Sequence, residues 1–129
     1  MNSTILLVDD NAIQAATRRA ILERTGCRVS TAPDGQSALD ILFDSVNDSS
    51  RTVRLIVTDH LMPGMNGPEL VREVRRQGFN MPIIVLSGLP DADSAYEDLD
   101  ISFRLKPFAP DSLIALARQL LRECMPRTA

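Results

Sequence analysis

The sequence predicts a doubly wound α/β fold, with one five-stranded parallel sheet in the order 2-1-3-4-5 and helices on both faces. Short apolar runs alternate along the chain with longer amphipathic stretches, as in repeated strand-helix units. Three of the runs, within 4–9, 54–59 and 82–87, are almost unbroken valine, isoleucine and leucine. Such runs are typical of strands buried on both faces of a parallel sheet. The 129 residues suffice for one such domain.

The individual elements follow from the same pattern. Five strands are predicted, at 4–9, 28–32, 54–59, 82–87 and 101–106. Apolar residues recur at helical spacing in four stretches, at 12–24, 36–46, 68–77 and 110–123. Asp34 is a candidate N-cap, and Pro68 and Pro110 suit the first turn of a helix. The fourth crossover, 88–100, is acidic and contains a proline, so a short or mobile helix is expected there.

The helical spacing also predicts which faces are buried. In the first helix the predicted inner face is Ile13, Ala16, Thr17, Ala20 and Ile21, and in the second it is Leu39, Leu42 and Val46. The arginines of the first and third helices are interpreted as solvated faces. They are Arg18, Arg19, Arg24, Arg72, Arg75 and Arg76.

Composition excludes several classes of function. The formal net charge of −3 disfavours nucleic acid or anionic membranes as direct partners, because both require a basic surface. Met1–Asp10 has no basic start and its apolar run stops at Asp9, so no signal peptide is predicted and a cytoplasmic protein is expected. Cys27 and Cys124 lack metal-site or redox spacing and are interpreted as reduced.

Polar side chains end four of the predicted strands. They are Asp9, Asp10, Asp59, Ser87 and Lys106. Ligands of an open parallel sheet bind beyond the carboxyl ends of the strands, so we expect these side chains to share one rim. Three clustered carboxylates repel one another and favour a hard cation, Mg²⁺ or Mn²⁺. A hydroxyl and an ammonium beside that cation form a cradle for phosphoryl oxygens, with Asp59 as the nucleophile.

Four motifs resemble those of the response-regulator receiver domain, whose fold is CheY-like and related to that of flavodoxin. They are VDD at 8–10, DHLMPGMNG at 59–67, LSG at 86–88 and LKPF at 105–108. The resemblance extends over essentially the whole chain. It implies a receiver domain at 1–125 and a short C-terminal tail at 126–129.

The resemblance also implies a role for each matching residue. Asp59 would be the phosphoacceptor, and Asp9, Asp10 and the backbone carbonyl of Leu61 would join it as Mg²⁺ ligands. The other implied positions are a hydroxyl group, a phosphate-binding ammonium, a switch aromatic and a proline after a cis peptide bond. These are Ser87, Lys106, Phe103 and Pro107.

The implied function is a signalling switch. A histidine kinase or a histidine phosphotransfer protein would phosphorylate Asp59, and the face formed by the fourth helical segment, the fifth strand and the last helix would change its affinity for an unknown downstream protein. The protein would catalyse only its own phosphorylation and dephosphorylation, as a monomer or a phosphorylation-dependent dimer. The chain ends at Ala129, which suggests a stand-alone receiver or one excised from a hybrid kinase or a longer regulator.

Several alternatives stay open from the residues alone. Asp10 or Asn11 could cap the first helix, Phe103 could be a core aromatic, and His60 is more simply a surface side chain than a phosphorylation site. A Mg²⁺ phosphatase would place a second carboxylate where Leu61 stands. A flavodoxin-like binder would not have an acidic first turn, and a phosphorylation-independent interaction module would not need the polar rim.

Overall fold

The structure is a computed structural model that describes residues 3–48 and 52–124. Its strands are β1 (Thr4–Val8), β2 (Arg28–Ala32), β3 (Val53–Asp59), β4 (Ile83–Ser87) and β5 (Ser102–Leu105). Its α-helices are α1 (Ala12–Glu23), α2 (Gly35–Ser45), α3 (Gly67–Arg76) and α4 (Pro110–Cys124), and a 3₁₀ helix covers Pro90–Tyr96. The predicted tail at 126–129 lies outside the described residues.

The five strands form one parallel sheet in the order β2-β1-β3-β4-β5, which confirms the predicted fold. All residues of β1 and β4 are buried, as is β3 apart from the half-buried Arg54. Alternate side chains enter two cores: Leu6 and Val8 belong to the core beneath α2 and α3, while Ile5 and Leu7 belong to the core beneath α1 and α4.

The starts of α2 and α3 are capped by side chains. Asp34 accepts a hydrogen bond from the Ser37 N–H at 2.7 Å, which confirms the predicted cap of α2. At α3, Asn66 and Glu69 form a reciprocal capping box that the sequence pattern did not predict. This box defines where the loop after Asp59 ends.

The predicted inner face of α1 is wrong at four of its five residues, and only Ile21 is confirmed. Ile13 is 81% exposed, and the residues of the helix that turn toward the sheet are Ala15, Arg18, Ile21 and Leu22. Asn11, whose side chain accepts from the Gln14 N–H, is the N-cap. The apolar spacing failed because the inner face contains a charged residue, whose partners lie on other elements.

Two further predictions about buried faces fail. Val46 follows the end of α2 and is 64% exposed, although Leu39 and Leu42 are buried as predicted. Arg75 is half-buried rather than solvated, and it donates to the backbone carbonyls of Phe79, Met81 and Asp100. Its guanidinium thereby links the end of α3 to the segments that enter β4 and β5.

The fourth crossover is short, as predicted, and takes 3₁₀ rather than α-helical form. Tyr96, at its end, is only 3% exposed and belongs to the core beneath α2 and α3. In the described part of the chain, no helix is long and apolar enough to span a bilayer.

Candidate functional site

Asp9 and Asp59 lie side by side at the carboxyl ends of β1 and β3. These strands are neighbours, with Val8 paired to Thr58. Asp9 and Asp59 are 3% and 2% exposed, whereas Asp10 is exposed. The three carboxylates each place one oxygen within 4.8 Å of the others. The topology therefore brings the three predicted acids to one point.

The donor set of this acidic pocket fits a hard divalent cation. All three groups are carboxylates, and oxygen ligands at this spacing suit Mg²⁺ or Mn²⁺. Leu61, the fourth predicted ligand, lies two residues beyond Asp59 and is 64% exposed. Its backbone carbonyl stays a predicted ligand.

Two cationic side chains meet at Asp59. Lys106 Nζ lies 2.7 Å from Asp59 Oδ1, as expected of a rim lysine. Arg18 Nη1 lies 2.8 Å from the same oxygen and 2.9 Å from Asp9 Oδ2. The Arg18 side chain is only 14% exposed, so its assignment to a solvated face is wrong.

Arg18 is the residue of the site that sequence reasoning missed. It lies three residues after Ala15 and four before Leu22, on the stripe of α1 that faces the sheet. A charged residue at the centre of that stripe was the available signal. The Arg18 side chain can point inward because Asp9, which precedes the same helix, neutralises its charge.

Burial controls the electrostatics of Asp9. Loss of solvent raises the pKa of its carboxyl group to about 6, and the neighbouring Asp59 charge adds to this effect. The Asn11 N–H, which donates to Asp9 Oδ1 at 2.9 Å, and the Arg18 charge act in the opposite direction. A cation in the pocket would oppose this rise in pKa and favour the charged form of Asp9.

Ser87 and Lys106 are joined through the backbone at the ends of β4 and β5. The Lys106 N–H donates to the Ser87 carbonyl at 2.8 Å. Ser87 is 2% exposed, and its hydroxyl oxygen accepts from the Leu89 N–H at 2.9 Å. The peptide bond between Lys106 and Pro107 is cis.

A second group of side chains extends from Asp59 toward the 3₁₀ helix. His60 Nδ1 is 2.7 Å from the Tyr96 hydroxyl oxygen, and the Tyr96 ring centroid is 6.1 Å from that of the half-buried Phe103. Burial lowers the pKa of His60 and raises that of Tyr96, so both neutral forms are favoured. A neutral His60 can accept from the Tyr96 hydroxyl. Sequence reasoning did not predict this contact.

Comparisons with known proteins agree with this geometry. The family model for the response regulator receiver domain matches residues 5–118. Response regulator MprA of Mycobacterium bovis is 33% identical over 132 residues, which cover 100% of this chain and 55% of that protein. MprA of Mycolicibacterium vanbaalenii is 34% identical over 125 residues, covering 95% of this chain and 52% of that protein. The chain thus spans about half the length of these curated relatives.

Solved receiver structures share the fold. The receiver domain of the Francisella response regulator 1452 is 28% identical, with a TM-score of 0.80 over 95% of this chain and 98% of that one. Chemotaxis protein CheY4 of Vibrio cholerae is 26% identical, with a TM-score of 0.78 over 93% of this chain and 99% of that one.

Proposed function

This chain belongs to the response regulator receiver domain family of two-component signalling, and we propose that it is a switch operated by phosphorylation of Asp59. The observation that carries the proposal is the position of Asp59, buried beside Asp9 with Lys106 Nζ 2.7 Å from its Oδ1. We take residues 1–125 as the receiver domain. A cytoplasmic location and the choice between monomer and phosphorylation-dependent dimer stay predictions.

Mg²⁺ would be held by Asp9, Asp10, Asp59 and the Leu61 carbonyl, with Mn²⁺ as a substitute. When bound, it would supply positive charge that offsets the carboxylates and the incoming phosphoryl oxygens. An Asp59 carboxylate oxygen attacks the phosphorus of a phosphohistidine. The new O–P bond forms as the P–N bond breaks, and the imidazole of the donor keeps the electron pair.

Lys106 and Ser87 would bind the transferred group. The Lys106 ammonium already lies against Asp59, where it can stabilise negative charge on the phosphoryl oxygens. To donate to the phosphoryl group, the Ser87 hydroxyl would have to give up its donation to the Leu89 carbonyl oxygen, which lies 3.3 Å away. That exchange would alter the backbone between β4 and the 3₁₀ helix, and Phe103 would move in response.

The upstream partner would be a histidine kinase or a histidine phosphotransfer protein. A groove of about 590 Å³ between α1 and α4 supports this proposal, because Lys106 and Arg18 line it beside Asp59. Its walls are mainly apolar, including Ile13 and Phe108. A partner docked there could bring its phosphohistidine to the acidic pocket. The downstream protein would bind the 3₁₀ helix, β5 and α4.

Intact-mass spectrometry after incubation with acetyl phosphate tests the phosphorylation step. We expect one phosphoryl adduct that requires Mg²⁺ and is absent from Asp59→Asn. Asp40→Asn, which neutralises an exposed carboxylate on α2, is the matched control and should be labelled like the parent. A folded protein that binds Mg²⁺ but gains no adduct would instead support a phosphorylation-independent interaction module.

A further inference from the structure

Arg18 bridges two carboxylates of the acidic pocket. A single nitrogen, Nη1, lies within hydrogen-bond distance of two carboxylate oxygens, at 2.9 Å from Asp9, which follows β1, and 2.8 Å from Asp59, which ends β3. Its side chain is 14% exposed, and the two carboxylate side chains are 0% and 3% exposed. This bridge is therefore shielded from solvent. The attraction between opposite charges is much stronger in such a shielded place than at an exposed surface.

The two oxygens that Arg18 contacts belong to residues that we assign as Mg²⁺ ligands. A divalent cation bound by Asp9 and Asp59 would lie close to the guanidinium, and two cations so placed repel each other. Each also uses carboxylate lone pairs that the other needs. Occupation of the pocket by Mg²⁺ thus weakens the Arg18 bridge, and the bridge weakens binding of Mg²⁺.

We propose that Arg18 is a built-in counter-cation that competes with Mg²⁺ for Asp9 and Asp59. It stabilises the pocket when no metal is bound and lowers the affinity of the pocket for Mg²⁺. This inference rests on the proposed function, because it concerns the same metal site.

The surroundings of Arg18 allow its side chain to withdraw. Arg18 also lines the groove of about 590 Å³ between α1 and α4, together with Gln14 and Thr17. A guanidinium displaced by the metal can move into this open space and regain water. Lys106, which contacts the same Asp59 oxygen, lines the groove as well. Asp59 would then retain one cationic side chain after Arg18 has moved.

Isothermal titration calorimetry with Mg²⁺ at constant ionic strength tests the competition. We expect Arg18→Met to bind Mg²⁺ about tenfold more tightly than the parent, which corresponds to about 1.4 kcal/mol. Arg24→Met is the matched control: it removes the same charge from a 64%-exposed side chain at the end of α1 and should bind Mg²⁺ like the parent. Equal or weaker binding by Arg18→Met would overturn the proposal.

Thermal unfolding in EDTA and in Mg²⁺ provides a second readout. Without the counter-cation, Arg18→Met should have a lower Tm in EDTA than Arg24→Met, and Mg²⁺ should raise its Tm more than that of the parent. If Arg18→Met does not fold without metal, Arg18→Gln, which keeps a hydrogen-bond donor but no charge, serves in the titration. An unchanged Mg²⁺ response in both variants would contradict the competition.

Labelling with acetyl phosphate in the same samples separates this inference from the proposed function. A parent protein that is phosphorylated normally, combined with Mg²⁺ affinities that are equal in the parent and Arg18→Met, would overturn only the role of Arg18. A parent that binds Mg²⁺ with the predicted Arg18 dependence but gains no phosphoryl group would overturn only the phosphorylation switch.

Discussion

Gly67 packs closely against the backbone at Asp59 and His60. A Cβ at this position would overlap the Tyr96 hydroxyl and lie 3.0 Å from His60 Cα and 3.1 Å from the Asp59 carbonyl oxygen. The contact with backbone atoms leaves little room for relaxation. A side chain at position 67 would therefore disturb both the loop after Asp59 and the buried tyrosine.

We predict that Gly67→Ala lowers the free energy of unfolding by about 1–3 kcal/mol, the usual cost of overpacking. Urea denaturation followed by circular dichroism measures this loss. Gly88→Ala is the control, because a Cβ there would have no atom within 4 Å and should cost much less. Equal losses in the two variants would show that the close approach at Gly67 is relieved without cost.

Leu61 bears on the lifetime of the proposed aspartyl phosphate. The residue is 64% exposed and lies two residues beyond Asp59, as Leu89 lies two residues beyond Ser87. Apolar side chains at these positions would hinder the approach of water to the phosphoryl group. A polar side chain could instead hydrogen-bond an attacking water.

We predict that Leu61→Asn shortens the phosphate lifetime relative to the parent. The decay of the phosphorylated mass after removal of acetyl phosphate measures it. Val46→Asn is the control, since Val46 is equally exposed at 64% and follows α2, away from the site. The same lifetime in Leu61→Asn and the parent would contradict this role.

At the scale of elements, the cap of α2 makes stability depend on pH. The hydrogen bond from the Ser37 N–H holds the pKa of Asp34 below its ordinary value of 3.8. A carboxyl group whose pKa is lowered by folding stabilises the folded state at pH values above its pKa in the unfolded chain. This contribution is lost as the pH falls through the folded pKa.

We predict that Asp34→Ala is less stable than the parent near neutral pH and that the difference shrinks in acid. Urea midpoints at about pH 7 and about pH 3, on either side of the ordinary aspartate pKa, measure this change. Asp44→Ala is the control. Its exposed carboxylate lies in the last turn of α2, where a negative charge is unfavourable, so its removal should not destabilise. A pH-independent loss in Asp34→Ala would contradict the assignment of the cap.

At the scale of the whole molecule, phosphorylation should be transmitted through the end of β4 to the 3₁₀ helix. If Ser87 turns toward the phosphoryl group, the Leu89 N–H loses its acceptor. The contact between His60 and Tyr96 provides a second connection, from the residue after Asp59 to the buried end of the same helix. Both routes lead to the segment 88–96.

We predict faster hydrogen-deuterium exchange in 88–96 when acetyl phosphate and Mg²⁺ are added. The segment 36–45 in α2 serves as the internal reference, and Asp59→Asn should show no change in either segment. Unchanged exchange in 88–96 of a fully phosphorylated protein would rule out this route of transmission.

Much of the fold was predictable because it depends on neighbours in the chain. The unbroken apolar runs in β1, β3 and β4 are buried as whole strands, and Asp34 caps α2 through a residue three positions away. The convergence of Asp9, Asp10 and Asp59 followed from strand order alone, since strands that end at one edge bring their last residues together.

The sequence by itself thus determined the strands, the strand order and the identity of the acidic rim. Only the tertiary structure decided that Arg18 points inward and that His60 contacts Tyr96. These pairs join residues 41 positions apart, from Arg18 to Asp59, and 36 apart, from His60 to Tyr96. The spacing of apolar residues uses only the residues of the helix itself. Whether a charged residue of that helix is buried depends on a partner of opposite charge, and here a distant strand supplies it.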